Sequence, residues 1–202
     1  MKLYFSPGAC SLSPHIILRE IGQPFELERV DLATRTTETG ADFRTINPKG
    51  YVPVLELNDG AVLTEGVAIV QYIADRGGAG DLAPPAGTLA RARVQEHLNF
   101  VASELHKAFG PLFRADAPEE AKKAAPAEIG RRFDHMESLL SDGRPFLLGE
   151  KFSVADAYLF VVSGWAEATG IGLARWPNLA AFVERVGARP SVKAAMAAEG
   201  LI

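Results

Sequence analysis

MKLYFSPGACSLSPHIILREIGQPFELERVDL, residues 1–32, reads as strand, loop, helix and second strand. Lys2 to Phe5 is a short β-like run, and Ser6, Pro7 and Gly8 break it. Leu12 to Ile21 then has helical character and is stopped by Gly22 and Pro24. Phe25 to Leu32 alternates Phe25, Leu27, Val30 and Leu32 with charges, imperfectly, and predicts a second strand. A strand, a helix and a strand in that order form a βαβ unit.

Working outward, a short helix is expected from Ala41 to Ile46. Pro53 to Leu57 and Ala61 to Leu63 flank Asn58, Asp59 and Gly60, whose Asp-Gly pair favours a hairpin. Thr64 can cap a helix reaching about Arg76. This order predicts a small mixed sheet with helices on it, as in thioredoxin-like domains. Gly77 to Gly80 and Pro84 to Gly87 concentrate chain breakers and read as a linker. Beyond it Leu98, Val101, Ala102, Leu105, Phe109 and Leu112 recur at helical spacing within one helix from Thr88 to Phe113. A second helix is expected from about Ala127 to Leu140, and three short ones after it. The predicted fold class is therefore an α/β thioredoxin-like N-terminal domain followed by an all-α C-terminal domain.

At 202 residues with 48% hydrophobic content, the chain can bury a substantial core. Its formal net charge of −4 and the lack of a long Lys or Arg run give no reason to expect nucleic acid or membrane as partners. No segment reaches the roughly 18 apolar residues of a membrane span, and Ser6, Pro7 and Gly8 interrupt any secretory apolar core near the start. The single cysteine cannot form an internal disulfide, which fits a cytoplasmic location. No metal site is expected.

That cysteine, Cys10, precedes the first helix, where unpaired N–H groups and the helix dipole favour a thiolate and lower the thiol pKa. Cys10 to Ser13 spells C-x-x-S, a weak motif by itself, and an inert buried thiol is the other reading. Val52-Pro53 reads by itself as a rigid strand entry; a cis bond would turn the Val52 backbone outward toward a peptide-like ligand. At Thr64, Glu65 and Gly66, helix-start N–H groups and a carboxylate suit the zwitterionic head of a free amino acid, although the residues by themselves favour a plain Thr64 cap with Glu65 complementing the helix dipole. Asn99, Ser103, His106 and Gly110 form a short polar stripe, with His106 open to a structural or a catalytic role. Ser153 and Asp156 form a capping box whose buried acid is structural.

The strings MKLYFSPGACSLSPHI, INPKGYVPVLEL, LTEGVAIVQYIAD, LNFVASELHK and FSVADAYLF together resemble beta-class glutathione transferases over the whole chain. The resemblance implies a thioredoxin-like glutathione domain at 1–78, a linker at 79–87, and a helical domain at 88–202 that supplies the electrophile site and the dimer contacts of a homodimer. It places Cys10 at the glutathione sulfur, with Ser11 and His106 as catalytic partners. Val52 before cis-Pro53 pairs with the cysteinyl backbone, Glu65 and Gly66 hold the γ-glutamyl end, and Arg35 holds the glycyl carboxylate. Asn99, Ser103 and Glu104 reach the partner subunit's glutathione, Lys107 lies near the sulfur, and Phe109, Phe113 and Trp165 wall the electrophile. Phe5 and Tyr51 stand where relatives carry Tyr and Gln.

The implied activity is conjugation of glutathione, a co-substrate and not a cofactor, to small hydrophobic electrophiles. Glutathione-dependent disulfide reduction through Cys10 is a possible second activity. The alternative is a non-catalytic ligand-binding protein that keeps the fold.

Overall fold

A computed structural model describes all 202 residues and divides them into two compact units: Met1–Ala83 with Ala188–Ile202, and Pro84–Gly187. In the first unit β1 (Lys2–Phe5), β2 (Glu26–Asp31), β3 (Thr36–Thr37), β4 (Val54–Glu56) and β5 (Val62–Thr64) form a sheet in the order β3-β2-β1-β4-β5. β1 runs parallel to β2, with Lys2 opposite Glu26, and antiparallel to β4, with Lys2 opposite Glu56. As the central strand it is covered on both faces, so Leu3, Tyr4 and Phe5 are all buried in a row instead of alternating. One cluster joins Tyr4, Val30, Phe43, Val52 and Val54. Ile16 and Ile17 of α1 (Leu12–Ile21) and Ile69 and Ile73 of α2 (Gly66–Arg76) are fully buried as well.

In the first unit the strand, helix and hairpin expectations hold to within a residue or two, with three corrections. The expected 41–46 helix is a single 3-10 turn, Phe43–Thr45, capped by the Asp42 carboxylate on the Arg44 N–H. Thr64 ends β5 instead of capping α2, and Glu65 takes the capping position. The last helix of the chain, α8 (Pro190–Ala198), belongs to the first unit and not to the helical domain expected at 88–202. Buried polar contacts hold it there. His15 Nδ1 lies 2.8 Å from Glu199 Oε1 with both side chains fully buried, and Glu199 Oε2 accepts the Gly8 N–H at 3.0 Å. Glu20 of α1 also binds Arg189 and Ser191. These pairs join residues far apart in the chain, which local periodicity cannot register.

The second unit is helical. α3 (Leu89–Phe100) is capped by Thr88 and passes through a π-helical turn, Val101–Leu105, into α4 (His106–Phe113). The wider turn rotates the face of α4 relative to that of α3, so the expected Asn99, Ser103, His106 and Gly110 stripe is broken at its middle. α5 (Glu119–Leu140) starts eight residues before the expected Ala127 and continues through Pro126, which removes one rung of its hydrogen-bond ladder. α6 (Val154–Ala168) and α7 (Pro177–Gly187) complete the unit, and α6 is buried from Val154 to Ser163. Its start is the expected capping box. Asp156 Oδ2 accepts the Ser153 N–H at 2.8 Å and the Ser153 hydroxyl at 2.7 Å, while Oδ1 accepts the Leu147 N–H at 2.8 Å.

Candidate functional site

Cys10 lies in the loop between β1 and α1, half-buried, with Sγ 3.5 Å from the Val52 carbonyl oxygen. The thiol donates to that oxygen. Its pKa is pushed up to about 11 by burial, which outweighs the backbone N–H groups of Cys10 and Ser11; the Glu65 carboxylate adds to the rise. The expected depression is therefore reversed: the helix dipole acts within its first turn, but taking a thiolate out of water costs more. At neutral pH Cys10 is a hydrogen-bond donor.

Ser11, expected as catalytic, is fully buried and closes the loop instead. Its hydroxyl donates to the Ser6 carbonyl at 3.3 Å and accepts the Ser6 N–H at 3.2 Å. The Val52-Pro53 bond is cis, as the resemblance implies. Gly66 faces the same proline: a Cβ there would come within 3.6 Å of Pro53 Cγ, so the α2 start and the Pro53 turn adjoin.

Two non-glycine residues have positive φ, and both are among the expected ligands: Arg35 at 61° and Glu65 at 69°. Each costs on the order of 1–2 kcal/mol relative to an ordinary backbone, a strain that persists where surrounding structure fixes it and that concentrates at functional sites. Glu65 accepts from Lys49 Nζ at 2.6 Å and from the Tyr51 hydroxyl at 2.9 Å. Tyr51 thus joins the wall beside Glu65. The Arg35 side chain lies along the Gly50 backbone, where a Cβ would meet its Nε at 3.6 Å. Lys49 has no signal of its own in the sequence, because its partner is sixteen residues away across the hairpin.

In the second unit an aromatic group gathers around His106. Its ring stands 4.7 Å from Trp165, edge to face, and Nδ1 lies 2.7 Å from the Tyr158 hydroxyl. Burial, with the charge of Lys107 beside it, holds the His106 pKa down to about 4, so the imidazole is neutral at physiological pH. Trp165 also meets Phe113 at 5.2 Å and Phe109 at 5.6 Å. Phe113 is 54% exposed and presents its ring to solvent, whereas Phe109 is fully buried. Phe109 therefore supports Trp165 and Phe113 from beneath, a correction to its expected place as a wall.

Asn99, Ser103 and Glu104 are exposed, and Lys107 is exposed one turn further on. The Ser103 hydroxyl donates to the Asn99 carbonyl at 2.8 Å, and Glu104 accepts from Arg132 of α5 at 3.1 Å. Ser103, Glu104, Lys107, Glu128 and Arg132 rim a shallow cleft of about 350 Å³ floored by alanines and Pro111. Arg132 and Tyr158 carry no signal in the sequence; both sit within otherwise ordinary helical patterns.

Two family models match the chain: the glutathione S-transferase N-terminal domain over residues 8–76 and the C-terminal domain over 100–190. Glutathione S-transferase GstA of Escherichia coli O157:H7 is 46% identical over 201 residues, with all of both chains covered. A bacterial beta-class glutathione S-transferase of Sphingomonas chungbukensis superposes with a TM-score of 0.96 at 50% identity, again over the whole of both chains. A sphingomonad glutathione S-transferase complexed with glutathione superposes with a TM-score of 0.95 at 50% identity and the same coverage.

Proposed function

Because the chain belongs to the glutathione S-transferase family, with full-length likeness to its bacterial beta class, we propose that it conjugates glutathione to small hydrophobic electrophiles. The observation that carries the reading is the grouping in the first unit of the Cys10 thiol, the Val52 carbonyl, cis-Pro53 and the strained Glu65 at the start of α2. The thiol is a donor for a sulfur anion, the Val52-Pro53 turn a backbone edge for a peptide, and Glu65 a carboxylate for an ammonium.

In this reading Glu65 takes the γ-glutamyl ammonium, with Gly66 and the N–H groups after it facing its carboxylate. Val52 pairs with the cysteinyl backbone, and Arg35 grips the glycyl carboxylate with a fork of donors. The substrate thiol loses its proton to solvent and its sulfur attacks the electrophile; with an aryl halide, a carbon–sulfur bond forms and halide leaves. Cys10 donates to the glutathione thiolate and does not attack. Neutral His106 is a second donor, and Phe113 and Trp165 offer the electrophile an apolar face. With little Cys10 thiolate at neutral pH, disulfide exchange through a protein–glutathione mixed disulfide is slowed at its attacking step.

The reading includes a homodimer in which Asn99, Ser103 and Glu104 face the partner subunit's glutathione, and a cytoplasmic location. No helix is long and apolar enough to cross a membrane. Calorimetric titration with glutathione tests the core of it. Wild type binds, and Glu65→Ala, which strands the ligand ammonium, loses roughly 10- to 100-fold in affinity, the equivalent of about 1.5–3 kcal/mol. Equal affinity in the two proteins overturns the assignment of the γ-glutamyl pocket.

A further inference from the structure

We propose that Tyr158 is a positioning residue for His106: its hydroxyl holds Nδ1 and thereby fixes the imidazole proton on Nε2. The inference rests on the transferase reading, in which His106 serves the glutathione sulfur, and it adds which ring nitrogen does so and what sets it.

Tyr158 sits on α6 with only 5% of its surface exposed, inside the buried stretch at the start of that helix. Its hydroxyl lies 2.7 Å from His106 Nδ1, and the two rings stand nearly perpendicular at 83°. Trp165, also on α6, packs its ring against the same imidazole at 4.7 Å and 76°. The imidazole is therefore located by two side chains of one helix, and α6 is itself anchored by Asp156. The Tyr158 contact engages Nδ1, so in the transferase reading Nε2 is the nitrogen that meets the ligand.

A neutral imidazole carries one proton, and the partner of one nitrogen decides where it resides. Between a phenol and an imidazole the phenol is the better donor, and the unprotonated ring nitrogen is far the better acceptor. The Tyr158 O–H therefore donates to Nδ1, leaving an N–H at Nε2. Burial and the adjacent Lys107 charge keep the ring neutral, so this N–H persists across the physiological range. His106 becomes a fixed hydrogen-bond donor to a sulfur anion, not a base waiting to take the thiol proton.

The sequence has four histidines, so long-range proton–nitrogen correlation spectra of the full chain can be assigned with His106→Gln as reference. The expected wild-type spectrum shows His106 protonated at Nε2 alone, and Tyr158→Phe gives a mixture of both tautomers. Tyr158→Phe also lowers kcat for aryl halide conjugation roughly three- to tenfold, the worth of one hydrogen bond, with the KM for glutathione unchanged. A wild-type His106 protonated at Nδ1, or a Tyr158→Phe protein with the wild-type tautomer and kcat, overturns the proposal. Wild-type kcat in His106→Gln would instead overturn the reading of His106 as a catalytic donor, while the wild-type spectrum still decides what Tyr158 does.

Discussion

At the scale of single residues, Cys10 is governed by a contest between the helix start and burial, and burial wins. The consequence is measurable. Alkylation of the free enzyme's Cys10 by iodoacetamide should rise with pH toward a midpoint near 11, well above the ordinary thiol value; a midpoint of about 8 or below would show that the helix start dominates after all. Conjugation and disulfide exchange should then separate on mutation. Cys10→Ala should nearly abolish glutathione-dependent disulfide reductase activity, because the mixed disulfide has no partner sulfur. Aryl halide conjugation should survive with a modest loss, because only one donor to the thiolate is removed. If both vanish while glutathione still binds, Cys10 is a shared catalytic group. The Ser11 hydroxyl is engaged by the Ser6 backbone.

At the scale of elements, the start of α6 concentrates stability in one carboxylate. Asp156 is buried and satisfies two backbone N–H groups and the Ser153 hydroxyl. Asp156→Ala leaves both N–H groups without acceptors and should destabilise the fold by about 2–6 kcal/mol, counted as about 1–3 for each stranded group, read as a lowered denaturation midpoint. Burial raises the folded pKa to about 6 from an ordinary 3.8. Between those values the folded state holds the proton more tightly than the unfolded chain does. The stabilisation from this group is thus complete below about pH 4 and is lost as pH rises through about 6. Compared with Asp156→Asn, which does not titrate, the wild type's advantage in thermal midpoint should shrink from about pH 4 to about pH 6; an advantage that grows over that interval contradicts the assignment.

The same box was legible from Ser153 and Asp156 alone, because both partners lie within one turn. So were β1, α1 and the Asp59-Gly60 hairpin, each fixed by local pattern and chain breakers. What escaped was non-local or irregular. The π turn at Val101–Leu105 leaves no trace in a run of good helix formers, and it displaces the stripe read from helical spacing. The left-handed backbone at Arg35 and Glu65 occurs at residues with no intrinsic preference for it. Lys49 beside Glu65, Tyr158 beside His106 and Glu199 beside His15 each depend on segments brought together only by folding.

At the scale of the whole molecule, the chain runs out of its first unit at Ala83 and back into it at Ala188, so the last fifteen residues close the domain that begins at Met1. Glu199 is the keystone of that closure, joining α1 through His15 to the Cys10 loop through the Gly8 N–H. Glu199→Ala should lower stability by about 1–3 kcal/mol, because it removes the acceptor facing the fully buried His15 ring. The transferase reading is tested most directly by halide release from an aryl halide by the purified chain, with and without glutathione, beside Glu65→Ala. The account predicts glutathione-dependent, saturable release by the wild type, with kcat/KM for glutathione reduced about tenfold or more in the variant. Glutathione that binds with no halide release above the uncatalysed rate, for any of a panel of aryl halides, would contradict it and leave a ligand-binding protein on a transferase fold.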